Sequence, residues 1–200
     1  MEATKSKPHP PGRIKIVNAL TALLEKKEFN AITTAEIAKN AGVTEALIYK
    51  YFKDKRDLLH QILSAFLEDY HSKTLDDLRG IKGSVNKIRK LIWTHFNVYS
   101  TNRVFARILL IEVRSHQDFF NSETYTLVKD YSNILLDIIE DGIQSGEIRD
   151  DIPSKIMRQS ILGSIEHICL TRIIFNREIS SDSLTEDLCN FLFIGIEKQR

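Results

Sequence analysis

Apolar residues recur every three or four positions along most of the chain, and this spacing predicts helices. No segment alternates convincingly between apolar and polar residues, as a half-buried strand does. The pattern predicts an all-α protein of about nine helices. Four precede residue 80, and the other five span residues 84–99, 103–115, 122–145, 154–176 and 182–198.

The predicted helices between residues 33 and 60 are separated by recognisable caps. Thr33, with Glu36 three residues later, matches a capping box. Gly42 suits the left-handed conformation that ends many helices. Thr44 and Asp54 can each cap the start of a following helix. The sequence therefore predicts two short helices joined by a tight glycine turn, followed by a long helix.

The second short helix divides its residues between two sides. At 100° per residue, Ile48 and Phe52 fall on one side, which would face the core. The opposite edge, the recognition face, would point outward and comprises Ala46, Leu47, Tyr49 and Lys50. Two short helices with this division around a glycine turn form a helix-turn-helix. The exposed edge would enter the major groove of double-stranded DNA.

Charge supports this assignment and helps to divide the chain. Residues 1–60 carry 11 Lys/Arg and 7 Asp/Glu, while the remainder carries 17 and 20. A basic end indicates a polyanionic partner. We predict a flexible basic arm at 1–12, a three-helix DNA-binding domain at 13–56, and a helical effector-binding and dimerisation domain at 57–200. The helix starting near residue 55 links the last two.

Two cations open that linking helix. Lys55 and Arg56 lie in the first turn, where the helix dipole disfavours positive charge by roughly 0.3–1 kcal/mol each. A DNA phosphate docked at this helix end would reverse the sign. The alternative is that Asp54 and Asp57 already neutralise the two cations.

The last two predicted helices are apolar on more than one side. One side can bury against the domain core, and the other needs a partner. We therefore predict a two-fold homodimer through these helices. The predicted interface residues are Ile161, Gly163, Ile165, Ile168, Leu188, Phe191, Leu192 and Gly195.

The middle helices carry a candidate effector pocket. Its predicted lining is largely aromatic and aliphatic and comprises Trp93, Phe96, Tyr99, Phe105, Ile108, Leu109, Glu112, Val113, Tyr125, Val128, Tyr131, Leu135 and Met157. Glu112 lies on an apolar face, so it needs a partner or marks a pocket. Arg103, Arg107 and Arg114 share another stripe, which is either a solvated face or an anion site.

Several function classes lack support in the sequence. The six histidines are scattered, and no HExxH, CxxC pair or glycine-rich phosphate loop occurs, so we expect neither an enzyme nor a catalytic or metal site. No required cofactor is expected. No run approaches the roughly 20 apolar residues that span a membrane, and residues 1–12 contain no signal-peptide core. We therefore expect a cytoplasmic protein without a membrane partner.

The segment ITTAEIAKNAGVTEALIYKYFKDKRDLL resembles the DNA-binding segment of the TetR (tetracycline repressor) family of transcription regulators. Tyr51 and Ala46 depart from that family's commonest residues, histidine and glycine. The resemblance implies phosphate contacts from Thr33, Thr34, Thr44, Tyr49, Tyr51 and Lys55, and base contacts from Glu45, Ala46 and Lys50. Tyr51 could instead be a half-buried core residue. Glu45 could simply be a favourable anion at a helix N-terminus.

A narrower resemblance covers the C-terminal half. LLIEVRSHQDFF, YSNILLDIIEDGIQSGEIRDDI and LGSIEHI are similar to bacterial fatty-acid-degradation regulators of the FadR type within that family. This resemblance implies a long-chain acyl-CoA or other hydrophobic small-molecule effector, with Arg107 and Arg114 as partners of the effector's phosphate groups. The resulting hypothesis is a repressor released from a palindromic operator by such an effector. The alternative is a helical DNA-binding structural or division-control protein of the same fold without an effector.

Overall fold

The computed structural model describes residues 10–196, and within them every regular element is helical. This confirms the all-α prediction. The described residues form ten α-helices, namely α1 (Pro11–Leu24), α2 (Thr34–Ala41), α3 (Glu45–Tyr51), α4 (Lys55–Leu78), α5 (Ser84–Thr101), α6 (Arg103–Arg107), α7 (Gln117–Phe120), α8 (Glu123–Ser145), α9 (Ser154–Ile174) and α10 (Ser181–Ile196). None of these ten is both long and apolar enough to cross a membrane.

Local capping chemistry explains several of the helix boundaries. The Thr33 hydroxyl accepts a hydrogen bond from the Glu36 N–H at 3.1 Å and caps α2. Gly42 ends the same helix with φ of 63°, the left-handed conformation predicted for it. α1 begins at Pro11, so the last two residues of the arm predicted at 1–12 are helical. Proline suits a first helical turn because that turn does not use its missing N–H.

The predicted helix 103–115 is wrong in detail. After α6 the chain makes a wider π-helical turn over Ile108–Glu112 and a tight 3-10 turn over Val113–Ser115. The separate short helix α7 then follows, and it accounts for the difference between nine predicted helices and the ten described. Short irregular turns of this kind leave no distinct period in a sequence.

The chain divides into two compact units, Met1–Ile62 and Leu63–Arg200. The boundary lies inside α4, six residues later than predicted. The first turns of α4 belong to the N-terminal unit, where Leu58 and Leu59 are buried. Arg13 donates to the Gln61 side chain at 2.7 Å and ties this part of α4 to α1. The predicted basic arm at 1–12 lies mostly outside the described residues.

α5 is the central helix of the C-terminal unit. It packs against α8, α9 and α10, and its apolar side chains are buried on several sides. Gly142 allows α8 to approach the start of α5 closely. A Cβ at this position would lie 2.8 Å from the Cβ of Ser84. Together with α4 and α6, the helices α5, α8 and α9 enclose the cavity described below.

Candidate nucleic-acid interface, cavity and dimer surface

The helix-turn-helix has the predicted orientation. Ile48 and Phe52 are buried, with exposed fractions of 0% and 1%. Ala46 and Lys50 are exposed, and Tyr49 is 55% exposed. Burial of the apolar Ile48 and Phe52 side chains holds α3 in the N-terminal unit. The opposite edge of α3 is therefore not needed to hold the helix in place. The recognition face is thus accessible on the N-terminal unit.

The side chains at the start of α3 are held in place by α2. The Thr34 hydroxyl donates to the Glu45 carboxylate at 2.8 Å. Glu45 lies in the first turn of α3, where a negative charge is favourable. Thr33 and Thr44 are exposed, and the Thr44 side chain makes no capping hydrogen bond. These residues form a polar edge beside the recognition face, and base or phosphate contacts from them stay predictions.

Leu47 and Tyr51 are only half-exposed because the start of α1 packs beside them. A Cβ built on Gly12 would lie 2.9 Å from Cδ2 of Leu47 and 3.6 Å from Cε2 of Tyr51. The Tyr51 ring also meets Phe52 edge-on, with 6.4 Å between centroids. Tyr51 therefore has both a packing contact and an accessible part, and Leu47 is less exposed than Ala46 and Lys50 on the same recognition face.

Lys55, whose phosphate contact stays a prediction, binds groups of the N-terminal unit. Its Nζ donates to the backbone carbonyls of Phe29, at 2.8 Å, and Ile32, at 2.5 Å. The ammonium also lies 4.3 Å from the centroid of the Phe29 ring. These interactions fasten α4 to the connection between α1 and α2. The two loop carbonyls lack helical partners, and the Lys55 ammonium provides the donors that they need.

We expect Lys55→Met to lower the free energy of unfolding by about 2 kcal/mol, since hydrogen bonds to charged groups contribute roughly 1.5–3 kcal/mol and this side chain is half-exposed. Chemical denaturation of the variant measures the change. Lys53→Met is the matched control because Lys53 is exposed. Unchanged stability in Lys55→Met, together with weaker DNA binding, would instead support the phosphate role.

The first turn of α4 is already capped by aspartates. Asp54 Oδ1 accepts from the backbone N–H groups of Arg56 and Asp57, both at 2.8 Å. Asp57 Oδ2 accepts from the Lys53 N–H at 2.8 Å. This geometry supports the alternative in which Asp54 and Asp57 neutralise the helix end. The positive charges of Lys55 and Arg56 in the first turn of α4 are therefore balanced without a bound phosphate.

The C-terminal unit contains an aromatic cavity of about 50 Å³. Its walls come from α4, α5, α6, α8, α9 and the turns after α6. It is lined by Leu67, Tyr70, His95, Tyr99, Phe105, Leu109, Arg114, Val128, Tyr131, Ser132, Leu162 and Glu166. Six of the predicted pocket residues lie here, namely Tyr99, Phe105, Leu109, Arg114, Val128 and Tyr131. That the cavity takes an effector stays a prediction.

The other predicted pocket residues lie elsewhere. The Trp93 indole N–H donates to Asp182 at 2.7 Å and joins α5 to α10. Tyr125 packs with Phe119 and Phe120 outside the cavity. Five apolar residues, each no more than 3% exposed, fill the core without lining the cavity, namely Phe96, Ile108, Val113, Leu135 and Met157. Apolar side chains at helical spacing pack in cores whether or not a pocket is nearby, so spacing could not separate the two.

The predicted arginine stripe is neither a solvated face nor an open anion site. Arg103 donates to the carbonyls of Arg172 and Arg177, both at 2.9 Å, and so caps the end of α9. Arg107 Nε lies 3.5 Å from Oε1 of Glu112, so Arg107 is the charged partner that the Glu112 carboxylate needs. Arg114 makes two hydrogen bonds to Glu166, both at 2.7 Å. This pairing raises the pKa of Arg114. Arg107 and Arg114 are thus both paired with carboxylates of the chain, and a phosphate would have to compete with those carboxylates.

Six cavity residues were missed from the sequence, namely Leu67, Tyr70, His95, Ser132, Leu162 and Glu166. Glu166 carried a usable signal. It lies one turn after Leu162 on α9, and an acid on the same side of a helix as an apolar residue needs a partner where that side packs. Tyr70 and His95 carried no comparable signal, because their exposure depends on neighbouring helices.

The aromatic groups around the cavity are uncharged near neutral pH. His95 Nδ1 lies 2.9 Å from the Leu91 carbonyl, which can only accept, so Nδ1 carries the proton. Burial lowers the pKa of His95 and keeps the ring neutral. Burial also raises the pKa of Tyr131 to about 12, and that of Tyr70 well above its usual value. The charges in the cavity wall are those of the Arg114–Glu166 pair.

The predicted dimer surface needs correction. Ile161 and Ile165 are 0% exposed, and Leu188 and Leu192 are 6% and 9% exposed. Ile161, Ile165 and Leu192 pack in the core of the chain's own C-terminal unit, and the largely buried Leu188 borders the open depression beside α9 and α10. Gly163 is exposed, Ile168 is half-buried, and Phe191 is 76% exposed. The side-chain surroundings of Gly195 fall outside the described part of the chain.

The outer side of these two helices forms the α9–α10 groove, an open depression of about 680 Å³. Its lining residues are Gln159, Ser160, Gly163, Ser164, His167, Ile168, Asp187, Leu188 and Phe191. Apart from the backbone of its own helix and its chain neighbours, no atom of the described residues lies within 4 Å of the position that a Gly163 Cβ would take. The groove combines an exposed phenyl ring with small residues that permit close approach.

Two family models match the chain. Residues 16–62 match the model described as bacterial regulatory proteins, tetR family. Residues 59–195 match the model described as YsiA-like protein, C-terminal region. Together the matches take in both units. Relatives of the same family align with nearly the whole length of this chain.

The fatty acid metabolism regulator protein of Bacillus subtilis (strain 168) is 25% identical over 189 residues, which cover 94% of this chain and 97% of the relative. The solved structure of the transcriptional regulator FadR from Bacillus subtilis in complex with stearoyl-CoA has a TM-score of 0.83 and 26% identity, covering 92% of this chain and 99% of that one. The nucleoid occlusion factor SlmA of Vibrio campbellii (strain ATCC BAA-1116) is 27% identical over 188 residues, covering 90% of this chain and 89% of the relative. From these matches and the helix-turn-helix geometry, the chain belongs to the TetR family of DNA-binding transcriptional regulators, with a C-terminal region similar to that of FadR-type fatty acid metabolism regulators.

Proposed function

We propose that the protein is a dimeric repressor that binds a palindromic DNA site and leaves it when a hydrophobic effector, an acyl-CoA, occupies the C-terminal unit. The observation that carries this proposal is the division of α3. Ile48 and Phe52 are fully buried, so Ala46, Tyr49 and Lys50 are free for contact outside the protein. An exposed α3 edge of this kind is what a helix-turn-helix places in the major groove.

The residue types on and beside the recognition face suit DNA. Lys50 can donate to guanine O6 and N7, and Ala46 can contact a thymine methyl group. Glu45 can accept from cytosine N4 if it leaves Thr34. The hydroxyls of Thr33, Thr44 and Tyr49 suit phosphate oxygens.

The α9–α10 groove supports the dimer. A second copy related by a two-fold axis would place its own α9 and α10 in the same groove and cover Phe191. The open space beside Gly163 permits close approach of the two helix pairs. Two copies of α3 then address two half-sites, and a two-fold protein favours a palindromic sequence.

The effector proposal rests on the aromatic cavity and on the relative that binds stearoyl-CoA. A cavity of about 50 Å³ is smaller than the ~300–1,000 Å³ of ordinary ligand pockets, so an acyl chain must widen it. Widening requires the surrounding helices to shift. Tyr70 of the cavity and Lys55 of the N-terminal unit lie on the same helix, α4. Movement of α4 would then change the separation of the two copies of α3.

A second candidate function is a division-control factor that binds DNA without an effector. The SlmA relative and the small cavity both favour it. In that case the packed cavity is simply core. The two functions differ in whether any acyl-CoA changes DNA binding.

Acyl-CoA is expected to release the protein from DNA. The measurement is fluorescence anisotropy of a labelled duplex, selected with this protein from a random library, during titration with decanoyl-CoA and stearoyl-CoA. A ligand at 100 times its Kd also stabilises the fold by about 2.7 kcal/mol, which a thermal melt detects. CoA without an acyl chain is the control. Retained DNA and an unchanged melting temperature with every acyl-CoA would favour the effector-free function.

A further inference from the structure

The α9–α10 groove carries one acidic side chain and one that can become basic. Asp187 on α10 and His167 on α9 both line the groove, and both are exposed. The remaining lining residues are uncharged. Within the part of the chain that the structure describes, neither of these two side chains makes a hydrogen bond or an ion pair. The groove therefore presents an acid and a histidine that are both uncommitted.

Other charged groups near His167 face elsewhere. All the lining residues of the groove belong to α9 and α10. Besides His167, the only ionisable charged residue between positions 163 and 171 is Glu166, which lines the aromatic cavity and pairs with Arg114. Glu186 precedes Asp187 on α10 but does not line the groove. Asp187 is therefore the charge that shares this surface with His167.

A second copy that covers the groove would take both groups out of water. A carboxylate that is buried without a partner is strongly unfavourable. In a two-fold dimer, residue i of one copy meets residue j of the other, and j meets i. A surface that carries both an acid and a histidine can therefore be complementary to itself, and any pair that it forms occurs twice.

We infer that protonated His167 of one copy pairs with Asp187 of the other across the two-fold axis, so that dimer formation takes up protons. This inference rests on the proposed dimer and specifies its charged contact. Histidine is the side chain that ordinarily changes charge between pH 5 and 8, and a nearby carboxylate favours its charged form. The added stability of the dimer is therefore present at the acidic end of this range and is lost as the pH rises.

Sedimentation equilibrium of the full chain at several pH values tests the inference. We expect the dimer dissociation constant to be about tenfold lower near pH 5.5 than near pH 8, because two half-exposed ion pairs contribute together. Aspartates are ordinarily ionised over this whole range, so the histidine sets the change.

Three variants assign the change to the two residues. His167→Gln and Asp187→Asn should each remove the pH dependence, because one lacks the titrating group and the other lacks its charged partner. Both positions are exposed, so both variants should keep the fold. His116→Gln is the matched control, because His116 is exposed and does not line the groove. It should keep the full pH dependence.

The outcomes separate this inference from the proposed dimer. A dimer whose affinity does not change with pH would leave the proposed dimer standing and this inference wrong. A dimer that weakens on acidification would show that the two copies of His167 repel each other near the axis, which also contradicts the pairing. If Asp187→Asn keeps the pH dependence, the assigned partner is wrong. A chain that is monomeric at every pH would overturn the dimer and this inference together.

Discussion

Lys50→Ala is expected to weaken binding of the dimer to its DNA site by about 30-fold or more, while the fold stays intact. Lys50 is exposed on the recognition face, so its removal leaves no cavity in the core. One good side-chain contact to a base is worth about 1–3 kcal/mol, and a palindromic site contains two copies. The combined loss is then about 2–6 kcal/mol, and each 1.4 kcal/mol is about tenfold in affinity. Fluorescence anisotropy on the selected duplex measures it.

A control variant must separate the effect of losing one positive charge from the effect of losing a side chain on the recognition face. Lys26→Ala removes the same charge from an exposed residue just after α1, outside the recognition face. It should weaken binding much less than Lys50→Ala. Tyr49→Phe is a companion variant that removes only a hydroxyl, and we expect a smaller loss from it. Equal affinities for wild type and Lys50→Ala would show that this edge of α3 does not contact DNA.

Phe191→Asp is expected to convert the dimer to a monomer, raising the dimer dissociation constant by about three orders of magnitude. Phe191 is 76% exposed on the α9–α10 groove, so the substitution costs the isolated subunit little. In the dimer each copy would bury an unpaired carboxylate, and the effective penalty is several kcal/mol per ion. Sedimentation equilibrium measures the change. DNA binding should fall with it, because one subunit reaches one half-site.

An exposed apolar residue elsewhere in the same unit provides the control. Leu75 on α4 is 44% exposed and does not line the groove. Leu75→Asp should therefore remain a dimer. If Phe191→Asp also remains a dimer at low micromolar concentration, the second copy does not cover this groove, and the palindromic site loses its structural basis.

The features that the sequence predicted well depend on neighbouring residues in the chain. The Thr33 cap and the left-handed Gly42 involve backbone groups within a few positions of each other. The buried side of α3 follows from the helical period, since Ile48 and Phe52 are one turn apart and both apolar. Physical rules with a short range in sequence were sufficient for these elements.

The dimer surface shows the limit of periodicity. The sequence correctly marked α9 and α10 as apolar on two sides, but it placed Ile161 and Ile165 outward when they are completely buried. A helix with two apolar stripes does not specify which one meets its own core. Packing against α5 and α8 decides that, and it leaves Gly163 and Phe191 on the outer side.

The sequence by itself determined the all-α class, the helix-turn-helix and the outward edge of α3, because helical period and capping are local. The tertiary structure decided which partner each charged or aromatic side chain meets. Arg114 pairs with Glu166, 52 residues away, and Lys55 with the carbonyl of Phe29, 26 residues away. Such pairings depend on how whole helices pack. The same packing brings the Tyr70 and Tyr131 rings together, 4.8 Å apart, and sets the size of the aromatic cavity.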